Sequence, residues 1–273
     1  MCAFSVLLSV YKNEIPEHFE VAMRSIVSQT VNPDEIVLIR DGAVPERLQV
    51  AIDTFLKQSS IPVKYIPLDT NEGLGNALRV GLEACSNSIV ARMDTDDISL
   101  PNRFEWQLKA LIDNPEVDVI GGQIAEFVHD PSDLTGRRFV PCGHDEIVQY
   151  AKRRNPFNHP TVMYKRDSVL RSGNYVEIKY LEDYYLWCRM ILNNCRFMNI
   201  PETLVYMRVN SDTYQRRGGY RYYQSFKKLE RFKRQKRLTD RKTYILNIAM
   251  RFIQSVLLPP QVRGLLYKII HQA

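Results

Sequence analysis

Ser88-Ile89-Val90-Ala91-Arg92-Met93-Asp94-Thr95-Asp96-Asp97 rises through an apolar run and then packs three carboxylates into four residues. The run Ile89-Val90-Ala91 predicts a buried strand, so Asp94-Thr95-Asp96-Asp97 falls where that strand ends. Pro101 then suits the opening of a helix through Phe104-Glu105-Trp106-Gln107-Leu108. Carboxylates this close repel one another, and a divalent cation would neutralise them. Mg2+ or Mn2+ takes one or two carboxylates and fills its shell with substrate phosphate oxygens and water, which suits an all-oxygen turn. The plain alternative is a solvated acidic turn ahead of a helix. The strand-end position favours a site.

Upstream, Phe4-Ser5-Val6-Leu7-Leu8-Ser9-Val10 predicts a first, central strand that ends at Tyr11. Residues 16–29 carry a helical pattern with Phe19, Ala22, Met23, Ile26 and Val27 on one face. A second buried strand, Glu35-Ile36-Val37-Leu38-Ile39-Arg40, ends at Asp41-Gly42. A helix over 45–57 and a third strand over 63–66 complete a βαβαβ series. That alternation predicts a parallel sheet with ligand at the carboxyl ends of its strands. Tyr11, Asp41 and Asp94 all fall at those ends. In Asn71-Glu72-Gly73-Leu74-Gly75-Asn76, the two glycines allow close backbone approach, and the helix that follows offers its N-terminus to negative charge. The stretch is neither a Walker loop nor a full dinucleotide fingerprint, and alone it reads equally as an ordinary helix start.

The second half predicts a strand over 124–128 after Gly121-Gly122, a polar loop over 129–139, and a loop over 155–162 feeding another strand. His159 in that loop either donates to a phosphate or sugar hydroxyl or orders the turn between Pro156 and Pro160. Glu182-Asp183 opens a helix to about 193, where two carboxylates serve either as acid–base groups or as charges favourable to a helix N-terminus. Residues 197–200 and 203–209 predict closing strands. Arg216-Arg217 beside Gly218-Gly219 reads as a mobile basic pair for a diphosphate, or as the start of a basic tail.

Taken together, Ser9-Val10-Tyr11-Lys12-Asn13, Arg40-Asp41-Gly42, Asn71-x-Gly73-Leu74-x-x-Ala77 and Asp94-Thr95-Asp96-Asp97 resemble, in that order, glycosyltransferase family 2. The resemblance spans about residues 3–210 and is sharpest over the first 110. It implies an α/β fold of the GT-A type, a Rossmann-like αβα sandwich with a mostly parallel sheet, and inverting transfer from a nucleotide sugar. By that resemblance Val10, Tyr11 and Asp41 hold the nucleobase, with Gly73 and Asn76 also on the nucleotide. Asp94 lies near ribose or diphosphate, Asp96 is the principal ligand of Mn2+ or Mg2+, and Asp97 lies behind it or beside it. Asp183 is the general base and Glu182 an acceptor-orienting neighbour. Bacterial surface polysaccharide synthesis is the implied setting, with a UDP-hexose donor favoured over dTDP- or GDP-sugars and a lipid-linked glycan as acceptor.

The net charge of +6 conceals an asymmetry. Residues 214–273 hold 15 Lys/Arg against 2 Asp/Glu, while residues 1–213 carry 22 against 29. The composition predicts a catalytic domain over 1–213 and a basic helical extension over 214–273. In the extension Ile245, Leu246, Ile248, Ala249, Phe252, Ile253, Val256 and Leu257 form an apolar stripe before Pro259-Pro260, too short to span a bilayer and interrupted by Arg251. A basic face with an apolar one suits the anionic cytoplasmic leaflet. The alternatives are a helical hairpin packed on the main domain and a nucleic-acid surface. The acidic strand-end turn opposes nucleic acid there, so none is expected as a partner. Five scattered cysteines without a C-x-x-C pair argue for a reducing compartment and against structural zinc. With no signal-peptide pattern, the expectation is a cytoplasmic protein peripheral to the inner membrane face.

Overall fold

A computed structural model describes residues 2–209 and 218–258. Strand β1 (Phe4–Tyr11) lies between β2 (Glu35–Asp41) and β4 (Ile89–Arg92), with β3 (Val63–Pro67) beyond β2, all four parallel. Side chains alternate across a strand, and β1 divides its own between two cores. Val6, Leu8 and Val10 pack with Phe19, Ala22 and Met23 of α1 (Pro16–Val27), Leu48 and Ile52 of α2 (Glu46–Gln58), and Phe104 and Leu108 of α4 (Arg103–Asp113). Leu7 packs on the other face with Ala77, Leu78 and Leu82 of α3 (Leu74–Ala84) and with Leu186, Trp187 and Met190 of α7 (Glu182–Leu192). Burial on both faces is why β1, β2 and β4 are written as predominantly apolar runs rather than as alternating ones.

From β4 the sheet continues through β8 (Met163–Lys165), β6 (Val119–Phe127), β9 (Phe197–Arg208) and β5 (Ile98–Ser99), with β7 (Leu134–Arg138) paired to β6. Among the described residues the sheet has nine strands, and β5, β7 and β8 run against the other six. Chain order reverses between β1 and β4: β2 and β3 lie on one side of β1, β4 on the other. A crevice opens at such a switch point, and Tyr11 and the Asp94 turn border it.

Three expectations change. Gly121 and Gly122 lie inside β6 rather than before it. A Cβ on Gly121 would stand 2.3 Å from Asn199 Oδ1, so the glycine admits a neighbouring side chain. Part of the expected loop over 129–139 is β7, a polar edge strand. The two closing strands are one, β9, with register shifts opposite Gly121–Ile124.

The extension forms two helices, Gly219–Gln235 and Arg241–Phe252, followed by a π turn, Ile253–Leu257. Asp240 caps the second, accepting Thr243 N–H at 2.6 Å. Tyr222, Phe226, Leu229 and Leu238 bury against Ala151, Leu181, Tyr184 and Cys188. A fully buried ion pair, Lys233 Nζ to Glu230 Oε1 at 2.6 Å, sits in that seam. Lys233 Nζ also donates to Tyr184 Oη (3.0 Å) and the Lys152 carbonyl (2.9 Å), and Asn247 Nδ2 donates to Glu230 Oε2 (3.0 Å). Among the described residues no helix is long and apolar enough to cross a membrane.

Candidate active site

A cavity of about 980 Å³ opens at the switch point. Tyr11, Asp41, Gly73, Asp94, Asp96, Asp97, His159, Glu182 and Asp183 all line it, so residues far apart in sequence share one space. Val10 and Asn76 do not line it. The Val10 side chain lies in the core, and Asn76 Nδ2 donates back to the Glu72 carbonyl at 3.1 Å. Arg216 and Arg217 lie outside the described residues.

Asp41 is engaged in building the site. Its Oδ2 accepts from Asn71 Nδ2 (2.8 Å) and Gly73 N–H (3.1 Å), and its Oδ1 accepts from Glu72 N–H (2.7 Å). These bonds shape the turn at Gly73, whose φ of 90° precedes α3. The N-terminus of α3, expected to attract ligand charge, holds a carboxylate of the chain itself: Glu177 Oε2 accepts Gly75 N–H at 2.8 Å. A Cβ at Gly75 would come within 2.8 Å of that oxygen, so the glycine makes room for Glu177.

Around the acidic turn the charges are balanced unequally. Asp94 pairs with Arg92, whose guanidinium is buried beneath the turn. Arg103, also buried, donates to the Arg92 carbonyl at 2.7 Å, and burial with Arg92 nearby pulls its pKa down to about 9. Asp97 turns inward and accepts Arg208 N–H at 2.8 Å. Burial, then Asp96 and Asp94, push its carboxyl well above the usual range. Thr95 Oγ1 donates to Glu14 Oε2 at 2.6 Å, and Glu14 too is raised by its burial. Burial is the main cause for both carboxyls, and Asp94 adds to it in each case. Among the described residues no three His, Cys, Asp or Glu groups form a ready-made metal cluster. The donor set nevertheless fits Mg2+ or Mn2+, because such an ion needs only one or two carboxylates here.

At the other wall, α7 presents its acidic pair. Asp183 Oδ2 accepts Asn155 Nδ2, and Oδ1 accepts Tyr184 N–H, each at 2.6 Å. Each oxygen keeps a lone pair, and the group is held in a fixed orientation. Glu182, buried and next to the negative Asp183, has its pKa pushed up to about 8. His159 is neutral at pH 7: burial, and then Arg92, lower its pKa to about 4. Its Nε2 has no hydrogen-bond partner among the described residues.

An acidic strand-end turn and an oriented helical carboxylate across one cavity suit group transfer between a phosphorylated donor and a hydroxyl. The sequence matches the profile of Glycosyl transferase family 2 over residues 5–173. This chain belongs to glycosyl transferase family 2. The amylovoran biosynthesis glycosyltransferase AmsE of Erwinia amylovora is 40% identical over 230 residues, covering 84% of this chain and 85% of that one. An Escherichia coli UDP-Gal:alpha-D-GlcNAc-diphosphoundecaprenol beta-1,3-galactosyltransferase is 37% identical over 265 residues, covering 97% and 95%. In fold the chain resembles the mannosyltransferase PcManGT of Pyrobaculum calidifontis in complex with GDP-Man and Mn2+ (TM-score 0.66, 15% identity, covering 99% of this chain and 76% of that one). S. aureus TarS 1–349 with UDP-GlcNAc gives a TM-score of 0.64 at 18% identity, covering 92% and 72%.

Among the residues that line this family 2 cavity and escaped the sequence reading as site residues are Glu14, Arg92, Glu177 and Arg208. Of these four, only Arg92 carried a signal. A charge inside an apolar strand run, two residues before Asp94 and therefore on its face, marks a pair. Glu182 gives a pH test. A raised carboxyl contributes stability in its neutral form, present below about pH 4.5 and lost as pH rises through about 8. Glu182→Gln, neutral throughout, is expected to match wild type near pH 5 and to melt at least ~2 °C higher by pH 8.5, since 1 kcal/mol moves a domain of this size by about 2–4 °C. Scanning calorimetry without metal or nucleotide measures it; a gap that does not widen with pH rejects the assignment.

Proposed function

We propose that the chain transfers a hexose, with inversion, from a UDP-sugar to a hydroxyl of a lipid-linked glycan during surface polysaccharide synthesis. The observation that carries this reading is the meeting of the Asp94–Asp97 turn and the Glu182-Asp183 pair in one cavity. The activities of the relatives, amylovoran biosynthesis and galactosyl transfer to a diphosphoundecaprenol-linked sugar, support the donor and acceptor classes. Tyr11 and Asp41 receive the uracil, Asp41 Oδ1 having capacity for one more donor. Asp94, steered by Arg92, takes the ribose or diphosphate side, and Asp96, with Asp94 beside it, holds Mn2+ or Mg2+. When bound, the cation offsets the charge that develops on the departing diphosphate. Asp183 accepts the proton of the acceptor hydroxyl as its oxygen bonds to the anomeric carbon and the bond to UDP breaks. Glu182 and His159 orient the acceptor.

The setting is the cytoplasmic membrane face. The second tail helix exposes Ile245, Leu246 and Met250, and Ile253 and Leu257 follow on the π turn, in an extension rich in Lys and Arg. One assay tests the reading: nucleoside diphosphate release from UDP-, dTDP- and GDP-sugars, with and without Mn2+, using alkyl diphosphate-linked GlcNAc in anionic or neutral vesicles. Release is expected from a UDP-hexose, with metal, and faster on anionic vesicles. Release from dTDP- or GDP-sugars alone rejects the donor, and indifference to vesicle charge rejects the membrane assignment.

A further inference from the structure

The extension supplies part of the cavity wall. Tyr222, Phe226, Arg251, Gln254 and Leu258 line the same space as Asp183. Arg251 is half-buried, with its guanidinium carbon 4.4 Å from the Phe226 ring centroid and 5.5 Å from that of Tyr222. Among the described residues it has no carboxylate partner, and its Nε has no hydrogen-bond acceptor. A planar cation held against two aromatic faces and lacking a counter-charge is set up to receive an anion, and its fork matches phosphate oxygens. Its surroundings say which anion. Arg208 stands at the acidic turn, with its Nε on the Asp96 carbonyl, and so belongs to the donor side. Arg251 rests on Phe226 and Tyr222, which pack against Leu181 and Tyr184 at the start of α7, and it shares the cavity lining with Asp183, so it belongs to the acceptor side. Its chain neighbours Met250, Phe252 and Ile253 are exposed apolar residues.

We propose that Arg251 is the anchor for the diphosphate of a lipid-linked sugar acceptor, with the sugar reaching Asp183 and the first carbons of the lipid lying on the exposed apolar strip of the second tail helix. The assignment rests on the reading of the acceptor as lipid-linked. It adds a specificity determinant in the extension, where the matched family profile does not reach. The helix carrying Arg251 is fastened to α7 by the Lys233–Glu230–Asn247 network, so the guanidinium is placed before the acceptor arrives.

The test is calorimetric binding of decyl diphosphate to the full chain with the donor site filled by UDP and Mn2+, compared among wild type, Arg251→Gln and Arg251→Lys. Losing a charge-assisted contact is expected to weaken binding by about 10- to 100-fold in Arg251→Gln. Arg251→Lys, which keeps charge but not the fork, is expected to fall between. Affinity for UDP is expected to be unchanged. Weakened UDP binding instead would place Arg251 on the donor and overturn the assignment. Equal decyl diphosphate binding by all three proteins overturns it too, while leaving a lipid diphosphate acceptor standing. Failure of wild type to bind decyl diphosphate, together with hexose transfer to a neutral alkyl glycoside, removes the acceptor reading itself.

Discussion

Replacing Asp183 with Asn is expected to slow turnover at least about a hundredfold while leaving donor and metal binding nearly intact. General-base assistance is worth about 10²–10⁴-fold, and the amide removes basicity at almost constant shape. The hydrogen bonds set the accompanying stability cost. Both carboxylate oxygens accept a donor, from Asn155 and from the Tyr184 N–H, and an amide can accept only one of them. One donor is left facing another, a loss of about 1 kcal/mol, or roughly 2–4 °C. The rate deficit should persist at saturating acceptor, because the missing interaction belongs to the transition state. Steady-state kinetics with melting curves distinguishes the outcomes. Near-normal turnover with a lowered melting temperature would make Asp183 a helix-terminal charge and pass the base to Glu182.

Asp96→Ala should abolish the metal-dependent part of donor binding. Supporting contacts to metal ligands are worth about 10–100-fold in affinity, so loss of the ligand itself is expected to cost at least ~100-fold. Titration of UDP with and without Mn2+ reads this directly. The fold should not suffer: burial, and then Asp96 and Asp94, hold the Asp97 carboxyl above its usual range, and removing one repelling charge relieves a buried group. Undiminished Mn2+-dependent affinity in the variant would move the cation to Asp97 and Glu14.

The fold was legible where physics made the sequence repetitive. β1, β2 and β4 are buried on both faces, so each is written as an apolar run, and a βαβαβ series has few ways to pack. The acidic turn and the Glu182-Asp183 pair were legible as clusters at element ends. The remaining site residues depend on contacts across the chain. Glu177 reaches the N-terminus of α3 from a loop about a hundred residues away in sequence, and Arg208 approaches Asp97 from the far end of β9. Gly121-Gly122 read as a break because nothing local reports Asn199 or Leu204 pressing on them. The Tyr222–Phe226 face of the first tail helix is apolar in any reading, but its partner, Tyr184 on α7, is fixed only by the assembled fold.

Lys233 and Glu230 have a bearing on how such a protein can diversify. Each is wholly enclosed, and removing either alone leaves an interior charge uncompensated, at about 3–5 kcal/mol. Such a pair changes only in concert, and with it the Tyr184 hydroxyl that Lys233 donates to. The extension is therefore poorly suited to being swapped between relatives as a ready-made cassette. A grafted tail would have to match Ala151, Tyr184 and Cys188 before it could close the cavity. Should the extension set both acceptor preference and surface attachment, as proposed above, the two would be inherited as a single unit, and a shift in one would drag the other with it.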